Sequence, residues 1–273
     1  MPLTDSDPKS LSRERYGQRA QRYVTSQVHA TGADLERLVE IASPQPHWSV
    51  LDVATGGGHT ALKFAPHVAR VVATDLTPKM LEAAEAFIAA QGIQNVTYEI
   101  ADAEDLPFED STFDLVTCRI APHHFADCPR FVRECVRVLK APAGSGNGML
   151  LVQDHVLPED QPVARYVDAF ERLRDPSHNR AFAESEWTSM FQDAGLTTIH
   201  AEQMVKRHGF VAWAERQDCT PEVTDQLVAR LRHAPAPVAA WMQPQDVGTP
   251  QASFINHHII IAGHKRPSNG GLP

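Results

Sequence analysis

The chain has 273 residues and a formal net charge of −9, and 42% of its residues are hydrophobic while 22% are charged. This is the composition of a globular protein that can bury a core without a structural metal or disulfide bonds. The acidic balance argues against a protein whose general task is to bind nucleic acid or an anionic membrane.

In chain order, the polar segment 1–11 lacks the apolar stretch of a signal peptide, and we expect it to be flexible, like the tail 266–273. Short apolar runs then alternate with helical segments through the first half of the chain. Helices are predicted over about 12–28, 32–42, 58–66, 78–91 and 129–139. Strands are predicted over about 49–54, 70–75, 95–102, 113–120 and 149–155.

The second half is less regular. Helices are predicted over about 160–174, 185–194, 210–217 and 221–233, and strands over about 196–205 and 253–265. The proline-rich stretch 233–250 receives no predicted element, although its apolar start could serve a homodimer interface or close the cap. We expect residues 12–265 to form one domain, in which helices from 12–45 and 156–250 cap a cleft.

Alternating strands and helices predict an α/β fold with a parallel, doubly wound sheet. Ligands of such sheets bind beyond the carboxyl ends of the strands, where the strand order reverses. This rule brings one set of residues to a single cleft: Ala54–His59, Asp75, Asp102, Arg119–Phe125 and Asp154-His155.

The three consecutive glycines 56–58 follow an apolar strand and indicate a loop that lets backbone approach a nucleotide-type ligand. With Ala61 they match the pattern of dinucleotide-binding folds, and Asp75 lies where an acid would hold a ribose hydroxyl. Asp52 distinguishes the ligands, because a carboxylate beside the loop would repel a pyrophosphate and attract a cationic group. S-adenosylmethionine (SAM) carries such a group, since it has an ammonium and a sulfonium.

The segments LDVATGGGHT, VVATDLTPKMLEAA, ADAEDLPFEDSTFDLVTCRIAPHHF and FVRECVRVLK resemble, in this order, the motifs of class I SAM-dependent methyltransferases. The similarity spans about residues 12–155 and is greatest to the branch of the ubiquinone/menaquinone-biosynthesis C-methyltransferases and their small-molecule relatives. The resemblance implies a Rossmann-like sheet of seven strands in the order 3-2-1-4-5-7-6, with the last strand antiparallel and a helical cap. It also implies SAM as cofactor and a carbon or oxygen atom of a small molecule as methyl acceptor.

The resemblance further implies which residues bind SAM. They are Tyr23, Asp52, Ala54, Thr55, Gly56, Gly58, Arg119 and His124 at the methionine end, Asp75 at the ribose, and Leu76, Met80, Asp102 and Ala103 at the adenine. Asp75 would accept hydrogen bonds from both ribose hydroxyls, and Asp102 from the adenine amino group. Tyr16, on the same predicted helix as Tyr23, could also cover the methionine end. Ala54 departs from the family pattern, which has a glycine there.

Methyl transfer from SAM is an in-line displacement, so a general base is needed only if the acceptor must lose a proton. Three histidines at the predicted cleft could act as that base, namely His123, His124 and His155, with His124 slightly favoured. The alternative is that they order the loop against the cofactor. The run 172–182, with three arginines and a histidine, could bind an acidic or phenolic acceptor or could form a solvated surface.

Two other functions stay open from the residues alone. One is an NAD(P)-dependent oxidoreductase, against which Asp52 and the absence of a Tyr-x-x-x-Lys pair argue. The other is a protein with the SAM-binding fold that transfers no methyl group. No NPPY-type motif follows the fourth strand, which disfavours nucleic-acid bases as acceptors. The histidines and the four cysteines have no metal-site spacing, so we expect no metal. The cysteines form no recognisable pairs, which favours a reduced cytoplasmic location. No apolar stretch is long enough to predict a membrane span.

Overall fold

The computed structural model describes residues 9, 13, 33–141 and 148–267. Tyr16, Tyr23 and most of the helix predicted over 12–28 lie outside the described residues. Within the described part, no helix is both long enough and apolar enough to cross a membrane.

A single large sheet organises the chain. Its strands are β1 (Ser49–Val53), β2 (Arg70–Asp75), β3 (Val96–Ile100), β4 (Leu115–Arg119), β5 (Met149–Leu157), β6 (Phe182–Ala183), β7 (Leu196–Gly209) and β8 (Ser253–Lys265). The spatial order is β3-β2-β1-β4-β5-β8-β7, and the two-residue β6 pairs with the end of β5. Because β6 shifts the numbers of the last two strands by one, the predicted order 3-2-1-4-5-7-6 is confirmed. β8 runs antiparallel to both β5 and β7, as expected for the last strand.

Nine α-helices surround this sheet in the described part of the chain. They are α1 (Ala33–Ala42), α2 (His59–Phe64), α3 (Pro78–Ala90), α4 (Cys128–Val138), α5 (Gln161–Arg174), α6 (Glu184–Asp193), α7 (Phe210–Glu215), α8 (Pro221–Arg232) and α9 (Ala236–Met242). Helix α9 lies in the proline-rich stretch that received no prediction. Its prolines are compatible with a helix because Pro235 is the N-cap and Pro237 lies in the first turn, where a missing N–H costs no helical hydrogen bond.

The two faces of the sheet and the second half of the chain each bury a separate apolar cluster. One sheet face packs on α4 and α6 through residues such as Phe131 and Trp187, and the other packs on α1 to α3 through residues such as Leu38 and Phe64. The third cluster joins α5, α7, α8 and α9 to β8. At its centre the Trp213 ring stacks on Phe170, with ring centroids 5.2 Å apart. This third cluster fixes the helices of the second half beside the carboxyl edge of the sheet.

The reversed direction of β8 decides which of its residues reach that edge. His258 of β8 pairs in register with His155 at the end of β5, and Asn256 pairs with Lys206 near the end of β7. The beginning of β8 therefore lies at the same edge as the ends of the parallel strands. Residues late in the chain thereby join the cleft that the first half forms.

Candidate functional site

A cavity of about 270 Å³ lies at the carboxyl edge of the sheet, whereas the next pocket has about 10 Å³, room for little more than a water molecule. The loops after β1 to β4 line one side, and the ends of α5, α7 and β7 and the beginning of β8 line the other. The predicted site residues that line it are Ala54, Thr55, Gly56, Asp75, Leu76, Met80, Asp102, Ala103, Arg119, His123, His124 and His155. Asp52 and Gly58 are not part of this lining. Tyr23 lies outside the described residues.

Asp52 holds the glycine-rich loop from beneath instead of lining the cavity. Its side chain is buried, and its two oxygens accept hydrogen bonds from the hydroxyls of Thr55, at 2.6 Å, and Thr117, at 2.7 Å. Burial raises the pKa of Asp52 to about 6, although these two bonds and the charge of Arg119 act in the opposite direction. The carboxylate thus fixes the conformation of the loop.

The loop itself turns through left-handed backbone. Ala54 has φ +53° and Gly56 has φ +54°, so Ala54 carries backbone strain at a position where the family has glycine. A glycine is required at position 58 because a side chain there would collide with helix α3. A Cβ at Gly58 would lie 2.9 Å from Cδ1 of Ile88 and 3.0 Å from Cβ of Ala84, so the glycine lets α2 pack against α3.

Asp75 is anchored by the backbone at the end of β2. Its Oδ2 accepts from the amide of Gly56 at 3.1 Å, and its Oδ1 accepts from the amide of Thr77 at 2.9 Å. Burial raises the pKa of Asp75, and the two amides oppose that rise. A carboxylate oxygen has more than one lone pair, so Asp75 retains acceptor capacity toward the cavity that it lines. This arrangement suits a pair of ligand hydroxyls.

Asp102 follows β3 and lines the cavity on the same side as the glycine-rich loop and Asp75. Its Oδ1 accepts from the amide of Glu104 at 2.9 Å. Nζ of Lys9 lies 2.6 Å from Oδ2 of Asp102 and 2.9 Å from Oε2 of Glu104. Leu76, Met80 and Ala103 give this end apolar surface, which suits a flat heterocycle with an exocyclic amino group.

Arg119, at the end of β4, takes part in a buried ionic group with helix α1. Oδ2 of Asp34 lies 3.8 Å from NH1 of Arg119 and accepts from Nζ of Lys206 and Nε2 of Gln153, at 2.8 and 2.9 Å. Burial alone would raise the pKa of Asp34, but Arg119 and Lys206 hold it at about 2. Asp34 therefore stays ionised and ties β4, β5 and β7 to α1.

His123 and Asp154 form a buried dyad. Nδ1 of His123 lies 2.6 Å from Oδ1 of Asp154, and the backbone amide of His123 donates to Oδ2 at 2.8 Å. Burial, together with His124 and His178, lowers the pKa of His123 well below its usual value, so its ring is neutral near pH 7. Burial raises the pKa of Asp154 to about 7. Among the described residues, Nε2 of His123 has no hydrogen-bond partner, and the residue lines the cavity.

The other predicted histidines lie close to this dyad. The ring of His124 has its centroid 4.1 Å from that of His123, and its Nδ1 bonds the carbonyl of Ser177 at 2.9 Å. The ring of His155 lies 4.8 Å from His123 and 4.6 Å from His258. Despite this clustering, no group of His, Cys, Asp and Glu side chains in the described ranges has an arrangement that could hold a metal ion.

Several cavity residues on the opposite side were not identified from the sequence, namely Lys206, His208, Trp213, Arg216, Asn256 and His258. Asp154 was expected at the cleft, but its role as the buried partner of His123 was not. The predicted strand over 253–265 gave no functional role to its histidines, yet His258 lines the cavity. Arg174 fell inside the run 172–182 that was singled out as an acceptor-binding candidate. One sequence signal could have identified the β8 residues. The last strand is expected to run antiparallel, so its beginning, and not its end, lies at the carboxyl edge of the parallel strands.

Comparison with known proteins gives consistent similarities. A family model described as a methyltransferase domain matches residues 50–142. The uncharacterized methyltransferase YcgJ of Bacillus subtilis is 36% identical over 92% of this chain and 98% of YcgJ. A solved structure of a candidate methyltransferase from Bacillus halodurans has a TM-score of 0.81 and 38% identity, covering 87% of this chain and 100% of that one. The ubiquinone/menaquinone biosynthesis C-methyltransferase UbiE of Shewanella frigidimarina is 32% identical over 71% of this chain and 76% of UbiE.

Proposed function

The chain belongs to the class I SAM-dependent methyltransferases, and from that premise we propose that it methylates a carbon or oxygen atom of a small-molecule acceptor. The observation that carries the proposal is the His123–Asp154 dyad in the wall of the cavity that also holds the glycine-rich loop. SAM supplies a methyl group on a cationic sulfur, so the chain itself must bind, align and, for some acceptors, remove a proton.

The residues on the β1–β4 side fit this cofactor. In the proposal, the anchored carboxylate of Asp75 accepts from the two ribose hydroxyls. Asp102 accepts from the adenine amino group, and the apolar surface of Leu76 and Met80 covers the ring. The backbone of the loop over Ala54 to Gly56 faces the methionine end, with Arg119 beside it. A covering role for Tyr23 remains a prediction.

His123 is the proposed general base. Nδ1–H donates to ionised Asp154, which leaves the lone pair of Nε2 available to take a proton from the acceptor. A neutral ring is the competent state, and the low pKa of His123 supplies it. Nδ1 of His124, which the sequence slightly favoured, lies 2.9 Å from the carbonyl of Ser177. A phenol or an activated carbon must lose a proton when methylated, and the dyad supports acceptors of that kind.

The test is calorimetric titration of ligand-free protein with SAM, S-adenosylhomocysteine and NAD⁺. We expect the two adenosyl ligands to bind and NAD⁺ not to bind. In Asp75→Ala two charge-assisted hydrogen bonds of about 1.5–3 kcal/mol each are lost, so affinity falls about a hundredfold or more. Glu82→Ala, an exposed acid on α3, is the matched control. Binding of NAD⁺ in place of the adenosyl ligands would contradict the proposal.

Transfer itself is tested with SAM carrying a labelled methyl group and a panel of phenols, quinols, hydroxylated aromatic acids and small amines. Label recovered on carbon or oxygen of a panel member supports the proposal. Label on an amine would overturn the choice of acceptor atom. Tight cofactor binding with no transfer to any acceptor would favour a protein that binds SAM without turnover. A homodimer and a cytoplasmic location remain predictions.

A further inference from the structure

The side of the cavity opposite the glycine-rich loop has a different chemistry. We call its polar residues the distal wall: Arg174 at the end of α5, Lys206 and His208 on β7, Arg216 after α7, and His258 on β8. β8 lies two strands beyond β4, which corresponds to about 10 Å at the usual strand spacing. The distal wall therefore lies beyond the loops proposed to hold the cofactor, on the acceptor side of the histidines.

Arg174 is held rigidly in this wall. Its guanidinium lies 4.3 Å above the ring of Trp213, and its Nε donates to the carbonyl of Trp213 at 3.0 Å. The side chain is only 13% exposed, and NH1 approaches Glu171 no closer than 3.9 Å. NH1 and NH2 donate no hydrogen bond to any described residue. A fixed guanidinium whose terminal nitrogens make one long ion pair and no hydrogen bond within the described residues can bind a carboxylate in a bidentate way.

His258 provides an independent observation. It is 3% exposed, and neither of its ring nitrogens has a hydrogen-bond partner within the described ranges. Buried polar atoms are normally paired, so an imidazole left without partners at a cavity wall indicates a polar group supplied by a ligand. Its neighbour His155, in register on β5, lines the same part of the cavity.

The charges of the wall select the sign of that ligand. Arg174, Lys206 and Arg216 line it. Lys206 is paired with Asp34 at 2.8 Å and Arg174 lies 3.9 Å from Glu171, yet burial together with the three cations still lowers the pKa of His208 to about 4. The carboxylate that lines this region, Asp175, accepts from the amide and hydroxyl of Ser177 at 3.0 and 2.6 Å. A ligand group placed here gains most if it is an anion.

We propose that the distal wall is a subsite for a carboxylate of the acceptor, bound by Arg174 and neighboured by His258. The acceptor is then a small organic acid, with its methylated carbon or oxygen directed toward His123. This inference rests on the proposed function and names the substrate class of the same cavity. It requires no bond change at the subsite, because the carboxylate serves only to orient the acceptor.

The test uses protein saturated with S-adenosylhomocysteine and three probes, namely benzoate, its neutral analogue benzamide, and phenyl phosphate. Ligand-observed NMR and calorimetry measure the affinities. We expect benzoate to bind about tenfold or more tightly than benzamide, as a charge-assisted hydrogen bond allows. Arg174→Gln should abolish this preference, and Arg174→Lys, which keeps the charge over Trp213, should retain part of it. Arg165→Gln, an exposed arginine on the same helix, is the matched control.

Each other outcome overturns the subsite. Equal binding of benzoate and benzamide, or a preference that survives Arg174→Gln, contradicts it. If phenyl phosphate binds more tightly than benzoate and its binding also depends on Arg174, the subsite binds a phosphate and not a carboxylate. If Arg174→Gln weakens S-adenosylhomocysteine itself to the same degree, the arginine serves the cofactor and the inference fails. Arg174 also packs on Trp213, so its substitution could disturb the fold. His258→Leu is therefore a second, independent variant, and it should reduce the preference for benzoate over benzamide in a folded protein.

Discussion

The two sides of the cavity use different chemical means. On the side of β1 to β4, backbone amides, a left-handed loop and anchored carboxylates such as Asp75 face the ligand. On the side of β5, β7 and β8, long cationic side chains and neutral imidazoles face it. The first side is built to hold one fixed ligand, because backbone geometry changes little with sequence. The second side is built from side chains, which can be exchanged to suit a different acceptor.

The largest expected effect separates proton removal from cofactor binding within the same cavity. His123→Gln removes the proposed base, and loss of general base catalysis typically costs about 10²–10⁴ in rate. We expect kcat to fall by that amount while the affinity for SAM stays within about twofold. The affinity is measured by calorimetry and kcat by transfer of labelled methyl. His233→Gln, an exposed histidine after α8, should leave both unchanged. Equal loss of kcat and SAM affinity would show that His123 serves cofactor binding and not proton removal alone.

A second prediction concerns the carboxylate of the dyad. Asp154→Asn can donate an amide N–H to Nδ1 of His123, which leaves Nε2 protonated and unable to act as a base. We expect kcat to fall by about a hundredfold or more. The buried carboxyl has a raised pKa, so its ionisation in the folded state opposes stability above the unfolded pKa. Replacement by a neutral amide should therefore not lower the thermal midpoint at pH 8. A large drop in that midpoint would indicate a structural role.

The same carboxyl gives the pH dependence. The pKa of Asp154 is about 7 in the folded protein, so the acid is protonated below that pH and occupies Nδ1 of His123 with its own proton. Only the ionised carboxylate leaves Nε2 free, and kcat/KM should rise as the pH increases through about 7. His124 and His178 favour the ionised acid, and the low pKa of His123 keeps its ring neutral over this range. A pH profile that is flat from 6 to 8 in the wild type would contradict this assignment.

The smallest effect tests the rigidity of the cofactor side. Gly58→Ala introduces a Cβ at φ +81°, 2.9 Å from Ile88, and should destabilise the fold by about 1–3 kcal/mol. Gly92→Ala is the matched control, because Gly92 has φ +77° but nothing within 4 Å of the added carbon. It should cost about 1 kcal/mol, from backbone strain alone. Chemical denaturation measures both. Equal losses would mean that the contact between α2 and α3 adds nothing beyond the backbone term.

The cofactor side was the more predictable from sequence for a physical reason. The glycine-rich loop turns at its own left-handed residues, and Asp75 ends the next strand along the chain, so a local pattern specifies both. Asp154 as partner of His123 was missed, since that contact depends on how the loop after β4 folds over the end of β5. His258 was missed because its place follows from the register of β8 on β5, which no local pattern specifies. Helix α9 was missed because its prolines resemble a loop when their position in the first turn is unknown.

The insertion of β8 between β5 and β7 also orders the assembly of the protein. In the sheet, β7 has β8 as its neighbour, so it has no strand to pair with until residues 253–265 are available. During synthesis the segment that carries the glycine-rich loop emerges first and can pair β1 to β5 in parallel. The opposite wall is completed last, when β8 enters and brings His258 beside His155. A ribosome that stalls before residue 253 would therefore release a chain with a cofactor loop but without an acceptor wall.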